Sequence, residues 1–182
     1  MSSYGIRAFD TSAYYGPSEI VLGNILDILK TEFPRSAYQL VGLSRSYRPI
    51  SSFLGKMTKC GRYGVASFDY SPATIRASVK QSLERLKTNY LDVVYLHDVE
   101  FVCTPYAPKA MGNHASALHD DATSYGLSEG DEGLVRGKGD QLVLDAFAEL
   151  RKLQEEGLIR HIGITGIFSF QTFYHKLRLS TC

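Results

Sequence analysis

Blocks of apolar residues with two different periods divide this chain. GIRAF (residues 5 to 9) is a short, largely apolar run that predicts a strand, and PSEIVLGNILDILKTEF (17 to 33) predicts a helix with Ile20, Ile25, Leu26 and Leu29 on a broad apolar face. Glu19 falls in the first turn of that helix, where the dipole favours an anion, and Pro34 stops it. AYQLV (37 to 41) predicts a second strand. Ser71 and Pro72 suit the cap and first position of a second helix, along which Ile75, Val79, Leu83 and Leu86 keep helical spacing. YLDVVYLH (90 to 97) is a near-continuous apolar strand, the pattern of a strand covered on both faces. DQLVLDAFAELRKLQEEG (140 to 157) predicts a third helix, with Leu142, Ala146, Leu150 and Leu153 on one face and Gly157 ending it, and IRHIGITG (159 to 166) predicts a fourth strand.

Strands alternating with helices imply an α/β fold with a parallel sheet. Polar groups stand at the C-terminal end of each strand: Asp10, Lys59 (after MTKCG resumes the second strand), His97 and Thr165. Four strand ends of this kind favour a partial (β/α)8 barrel, in which chemistry converges on one rim, over a doubly wound sheet with a single switch point. No G-x-G-x-x-G follows any strand, so a Rossmann nucleotide site is not expected. Three segments break the pattern. Residues 42 to 56 split what would otherwise run as one strand, residues 98 to 139 predict a long loop, and residues 167 to 182 form a tail without a defensible period.

Asp10, Tyr15, Lys59 and His97 make chemical sense as a set. A phenol, with an ordinary pKa near ~10, transfers protons poorly at neutral pH unless a cation stabilises its phenolate. Lys59 is such a cation, Asp10 could anchor the ammonium, and His97 could hydrogen-bond a reacting oxygen. The set suits a carbonyl and alcohol couple and requires a separate hydride carrier. His114, His119, Asp120 and Asp121 share the long loop without ligand spacing, so no metal site is expected. Cys60, beside Lys59, reads as an inert thiol.

These residues carry a resemblance. FDTSAYYGPSE resembles the Asp-Thr-Ala-x-x-Tyr-Gly-x-Ser-Glu signature of aldo-keto reductases, TKCG the strand bearing their lysine, YLDVVYLHDVEF the strand bearing their histidine, and LRKLQEEGLIRHIGITG their Leu-x-x-x-Gly-x-Ile-Arg-x-Ile-Gly-x-Ser segment. Within that family the motifs look most like D-arabinose 1-dehydrogenases and L-galactose dehydrogenases. The resemblance implies NAD- or NADP-linked oxidation of an aldose at C1 to its lactone. In it Tyr15 is the acid/base, Lys59 lowers its pKa, Asp10 pairs with the lysine, His97 orients the sugar oxygen, and Thr165 reaches the cofactor carboxamide. It also implies eight strand-helix units, of which four are recognisable in the single domain of residues 1 to 182, with the barrel's first strand and helix, some tens of residues ahead of Asp10, and most cofactor groups beyond the fifth strand missing. We accordingly expect residues 42 to 56 to be an in-frame retained intron and the tail to be read-through. An open four-stranded piece should fold incompletely, associate, or survive as an inactive binding partner of an intact relative.

Composition adds exclusions. Twenty basic against nineteen acidic residues, net +1, recommend neither nucleic acid nor an anionic membrane as a partner. Three cysteines without C-x-x-C spacing fit a reducing compartment, and no signal peptide or long apolar span is visible, so a cytosolic location and a small sugar substrate are expected.

Overall fold

The computed structural model describes residues 5–13, 15–44, 69–99, 102–104 and 134–165. In order these form β1 (Ala8–Ser12), α1 (Ser18–Ile28), β2 (Gln39–Ser44), α2 (Pro72–Leu86), β3 (Leu91–His97), α3 (Lys138–Glu155) and β4 (Ile159–Thr165), with one 3₁₀ turn, Arg35–Ala37, before β2. The four strands form one parallel sheet in the order β1-β2-β3-β4. The expected α/β architecture is therefore present as an open, sequentially wound sheet.

The helices are made by apolar stripes. Leu26 of α1, Ile75, Val79, Leu83 and Leu86 of α2, and Val143, Ala146, Leu150 and Leu153 of α3 are buried in one core with Leu40, Val94 and Leu96 of the sheet. Each helix also carries one device that the stripe alone does not provide. At Gly23 of α1 an added Cβ would run into the Arg85 carbonyl oxygen and lie 2.8 Å from Leu86 Cα, so only glycine lets α1 and α2 pack this closely. Asp69 starts α2 by accepting the Ser71 N–H at 3.0 Å and the Thr74 hydroxyl at 3.0 Å, whereas Ser71 itself makes no capping bond. Asp140, buried in the first turn of α3, accepts the backbone N–H groups of Thr104 at 3.0 Å and Arg136 at 2.8 Å, tying the chain after β3 to that helix.

Three boundaries differ from the sequence pattern. The first strand begins at Ala8 rather than Gly5, so Asp10 lies inside β1 instead of behind it. β2 extends through Gly42, Leu43 and Ser44, because Gly42 and Leu43 pair with both β1 and β3 and Ser44 pairs with β3; residues 45–56 lie outside the described residues. The first helix also ends earlier than its apolar run, at Ile28, where Leu29 N–H closes on Ile25 and Phe33 folds back through Leu29 into the core.

At the N-terminal ends of the strands, Arg35 holds several elements together. Its guanidinium donates to Asp92 at 2.6 Å, to the Tyr38 and Tyr90 carbonyls and to Thr88, and it lies 3.8 Å from the Tyr90 ring centre. Asp92 also accepts the Leu40 N–H at 2.9 Å and pairs with Arg160 at 3.3 Å. This is the end of a strand-helix barrel where stability, rather than chemistry, is expected to reside.

Candidate functional site

The two sheet faces are unlike. In β3 the residues alternate, with Asp92, Val94 and Leu96 buried toward the helices and Val93, Tyr95 and His97 half-buried on the other face. Register extends that second face across the sheet. Asp10, Val41, Val93 and His161 form one row, Ser12, Leu43, Tyr95 and Gly163 the next, and His97 and Thr165 the last pair. The face without described helices therefore carries Asp10, His97 and Thr165 together, stepped along the strands.

Tyr15 enters from the turn between β1 and α1. Its N–H donates to the Ser12 carbonyl at 3.0 Å and its own carbonyl accepts the Ser18 N–H at 3.2 Å, while Gly16 takes a φ of +57° that suits glycine. The phenol is open, the residue being 56% exposed. The Gly-Pro-Ser-Glu stretch fixes this turn from beneath. Ser18 Oγ meets Thr11 Oγ1 at 2.8 Å, and Glu19, 1% exposed, accepts the Ser82 hydroxyl at 2.6 Å and pairs with Arg85 at 3.4 Å. The acidic residue expected merely to complement a helix dipole thus also locks α1 to α2 beneath the turn that presents Tyr15.

His97 closes β3 and is held on several sides. Its carbonyl accepts the Tyr70 phenol, it is the register partner of Thr165, and its Nδ1 lies 2.8 Å from Asp98 Oδ1. That approach is at hydrogen-bond distance but bent from the in-line direction. Asp98 is buried with φ +61°, and its N–H donates to the Thr165 carbonyl at 2.8 Å. Tyr95 lies in the row before, its ring so close over Gly163 that an added Cβ would meet ring carbons at 2.8 and 2.9 Å.

Sequence reasoning located Asp10, Tyr15, His97 and Thr165 at or near one rim, and the structure brings His97 and Thr165 side by side. Lys59 and Cys60 lie outside the described residues, as do His114, His119, Asp120 and Asp121. The pattern missed Tyr70, Asp98, Ser82 and Arg85. Their partners are set by folding, and only the adjacency of Asp98 to His97 was readable. Among the described residues no group of three or more His, Cys, Asp or Glu could hold a metal ion, and no helix is long and apolar enough to cross a membrane. A cleft of about 610 Å³ does exist, but Asp27, Lys30, Arg35, Lys87 and Asn89 line it at the opposite end of the sheet. The rim, with its polar strand ends, is the better candidate for chemistry.

A model of the aldo/keto reductase family matches residues 1–172. The chain belongs to the aldo/keto reductase family. It is 37% identical over 164 residues to D-arabinose 1-dehydrogenase of Saccharomyces cerevisiae, an alignment covering 90% of this chain and 33% of that protein. To L-galactose dehydrogenase of Arabidopsis thaliana it is 34% identical over 165 residues, covering 90% of this chain and 35% of that protein. The chain spans about a third of the length of these curated relatives. A solved aldo-keto reductase complexed with NADPH superposes with a TM-score of 0.55 at 15% identity, covering 98% of this chain and 38% of that one. For an aldo/keto reductase chain, the four strands are a sector of a (β/α)8 barrel, which the described residues leave open.

Proposed function

We propose that this chain supplies the proton-transfer half of an NAD- or NADP-linked aldose dehydrogenase that oxidises a sugar such as D-arabinose or L-galactose at C1 to the lactone. The observation that carries the proposal is the shared rim. Tyr15 is presented with an open phenol at the end of β1, and His97 and Thr165 close β3 and β4 on the same face as Asp10, the face without described helices. The names of the two curated relatives support the sugar.

Tyr15 takes the proton of the C1 hydroxyl, a task for which Lys59 would hold the phenol toward its ionised form. Asp10 steadies that amine, and His97 orients the sugar oxygen. Thr165, half-buried beside His97, offers one hydroxyl of the right kind for a carboxamide, which supports a nicotinamide at this rim. When bound, a nicotinamide accepts the hydride that leaves C1 as the carbonyl forms.

The register of β2 bears on Lys59. Were Val41 to Lys56 removed, MTKC would follow Leu40 directly, and Lys59 would take the register position Leu43 now holds, between Ser12 and Tyr95 and one row on from Asp10 along the same face. Residues 42 to 56 are thus read as an insert in a family strand, and transcript sequencing tests their origin.

The activity test is absorbance at 340 nm with D-arabinose or L-galactose and either NAD⁺ or NADP⁺. Turnover that Tyr15→Phe abolishes supports the reading. Absence of turnover from both parent and variant favours a catalytically inactive chain.

A further inference from the structure

Tyr15 is held by its backbone more than by its surroundings. With the residue 56% exposed, packing supplies little restraint, so the place of the phenol is inherited from the turn that carries it. Gly16, the next residue, sits at φ +57°, and an added Cβ there would meet nothing within 4 Å, so glycine is present for its conformation and not for space. The same freedom leaves such a turn loose unless other bonds close it. Two backbone bonds do part of this, Tyr15 N–H to the Ser12 carbonyl at 3.0 Å and Ser18 N–H to the Tyr15 carbonyl at 3.2 Å. A side-chain bond completes it. Thr11 lies on the helix-facing row of β1, level with Gly42 and Val94, and is fully buried, with Oγ1 2.8 Å from Ser18 Oγ. Ser18 therefore grips Tyr15 with its N–H and β1 with its hydroxyl.

We propose that Thr11 and Ser18 are positioning residues, whose shared hydrogen bond ties the turn after β1 to the strand that bears Asp10 and so fixes where the Tyr15 phenol meets the substrate oxygen. A buried hydroxyl oxygen needs a hydrogen-bond partner, and Ser18 Oγ supplies one to Thr11 at the first turn of α1. The pairing refers the turn to a fixed element, because Thr11 stands between Asp10 and Ser12 within a paired strand. Proton transfer requires the phenol within hydrogen-bond reach of the reacting oxygen, and a misplacement of about 1 Å can cost about 10²-fold in rate. Glu19, one residue on, acts at another level, its bonds to Ser82 and Arg85 holding α1 as a whole against α2. The inference rests on the reading of Tyr15 as the acid/base, but the hydroxyl pair itself is a property of the folded chain.

The test sets Thr11→Val, which keeps the shape and removes the hydroxyl, against Thr11→Ser, which keeps the hydroxyl and removes a methyl group. Amide hydrogen exchange of the full chain reads the turn without substrate. In Thr11→Val the Tyr15 and Ser18 amides should exchange roughly 10-fold faster than in the parent, while those of Val94 and Leu96 in β3 keep the parent rate. Thr11→Ser should leave all four unchanged. Ser18→Ala should loosen the Tyr15 amide in the same way and serves if the valine variant does not fold. Unchanged exchange at the turn, or an acceleration shared equally by Val94 and Leu96, would overturn the proposal, the second because it marks a general loss of stability. A second arm measures D-arabinose oxidation. Thr11→Val and Ser18→Ala should each lower kcat roughly 10-fold with KM for the nicotinamide unchanged, and the two together should lower it no further, since both remove one bond. Thr11→Ser should retain the parent kcat. A loosened turn with unchanged kcat, or a double variant whose loss is the product of the single losses, overturns the positioning role. A turn that loosens in a chain whose parent shows no turnover supports the clip and sinks the dehydrogenase reading instead.

Discussion

Asp10 stands level with Val93, four residues short of His97 along the sheet. At ~3.3 Å per residue that is about 13 Å along the strand direction, too far for the carboxylate and the imidazole to touch. The two groups therefore stand at different depths, His97 at the edge of the sheet beside Thr165 and Asp10 four residues deeper.

Tyr15→Phe is expected to lower kcat by ~10²–10⁴ in a chain that turns over, the usual worth of a positioned acid or base. Because Tyr15 is 56% exposed, the far-UV spectrum and melting temperature should stay at the parent values. A variant that loses stability along with activity would make Tyr15 structural.

Deleting Val41 to Lys56 should join QL to MTKC and bring an amine to the Leu43 register position. The deletion chain is expected to show more turnover than the parent, and Lys59→Met in the deletion background should remove the gain. Equal activity with lysine or methionine would separate Lys59 from the chemistry.

Gly23→Ala should destabilise the fold by about 1–3 kcal/mol, because the new methyl meets the backbone of Arg85 and Leu86 rather than a movable side chain. In a chain of this size that is a fall of roughly 2–4 °C per kcal/mol in melting temperature. An unchanged melting curve would mean that α1 and α2 can separate freely.

Arg76 gives the stability a pH dependence. It forks onto both Glu156 oxygens at 2.8 and 2.6 Å and also pairs with Glu149. Hydrogen bonds from Arg76 hold the Glu156 carboxyl below its ordinary value of 4.5. A carboxyl depressed on folding stabilises the folded state above its unfolded pKa, and that contribution is lost as pH falls through the folded pKa. Arg76→Met should therefore differ most from the parent in urea midpoint at neutral pH, with the gap narrowing below pH 4.5. A gap constant with pH would assign the effect to lost packing of the arginine stem.

The sequence by itself determined the strand-helix alternation, the apolar face of α2, and the identities of Asp10, Tyr15, His97 and Thr165, because period and motif spacing are local properties of a chain; on α3 the pattern pointed to Leu142, which is exposed, where Val143 is buried. Folding alone decided what those residues stand beside. Register set Asp10 against Val93 and His97 against Thr165. Glu19 found Ser82 and Arg85 more than sixty residues away. β2 ran on through Leu43 although its pattern had faded, since hydrogen bonds to a strand on each side outweigh weak local propensity. A left-handed turn at Asp98, which no period records, aimed a buried carboxylate at the His97 ring.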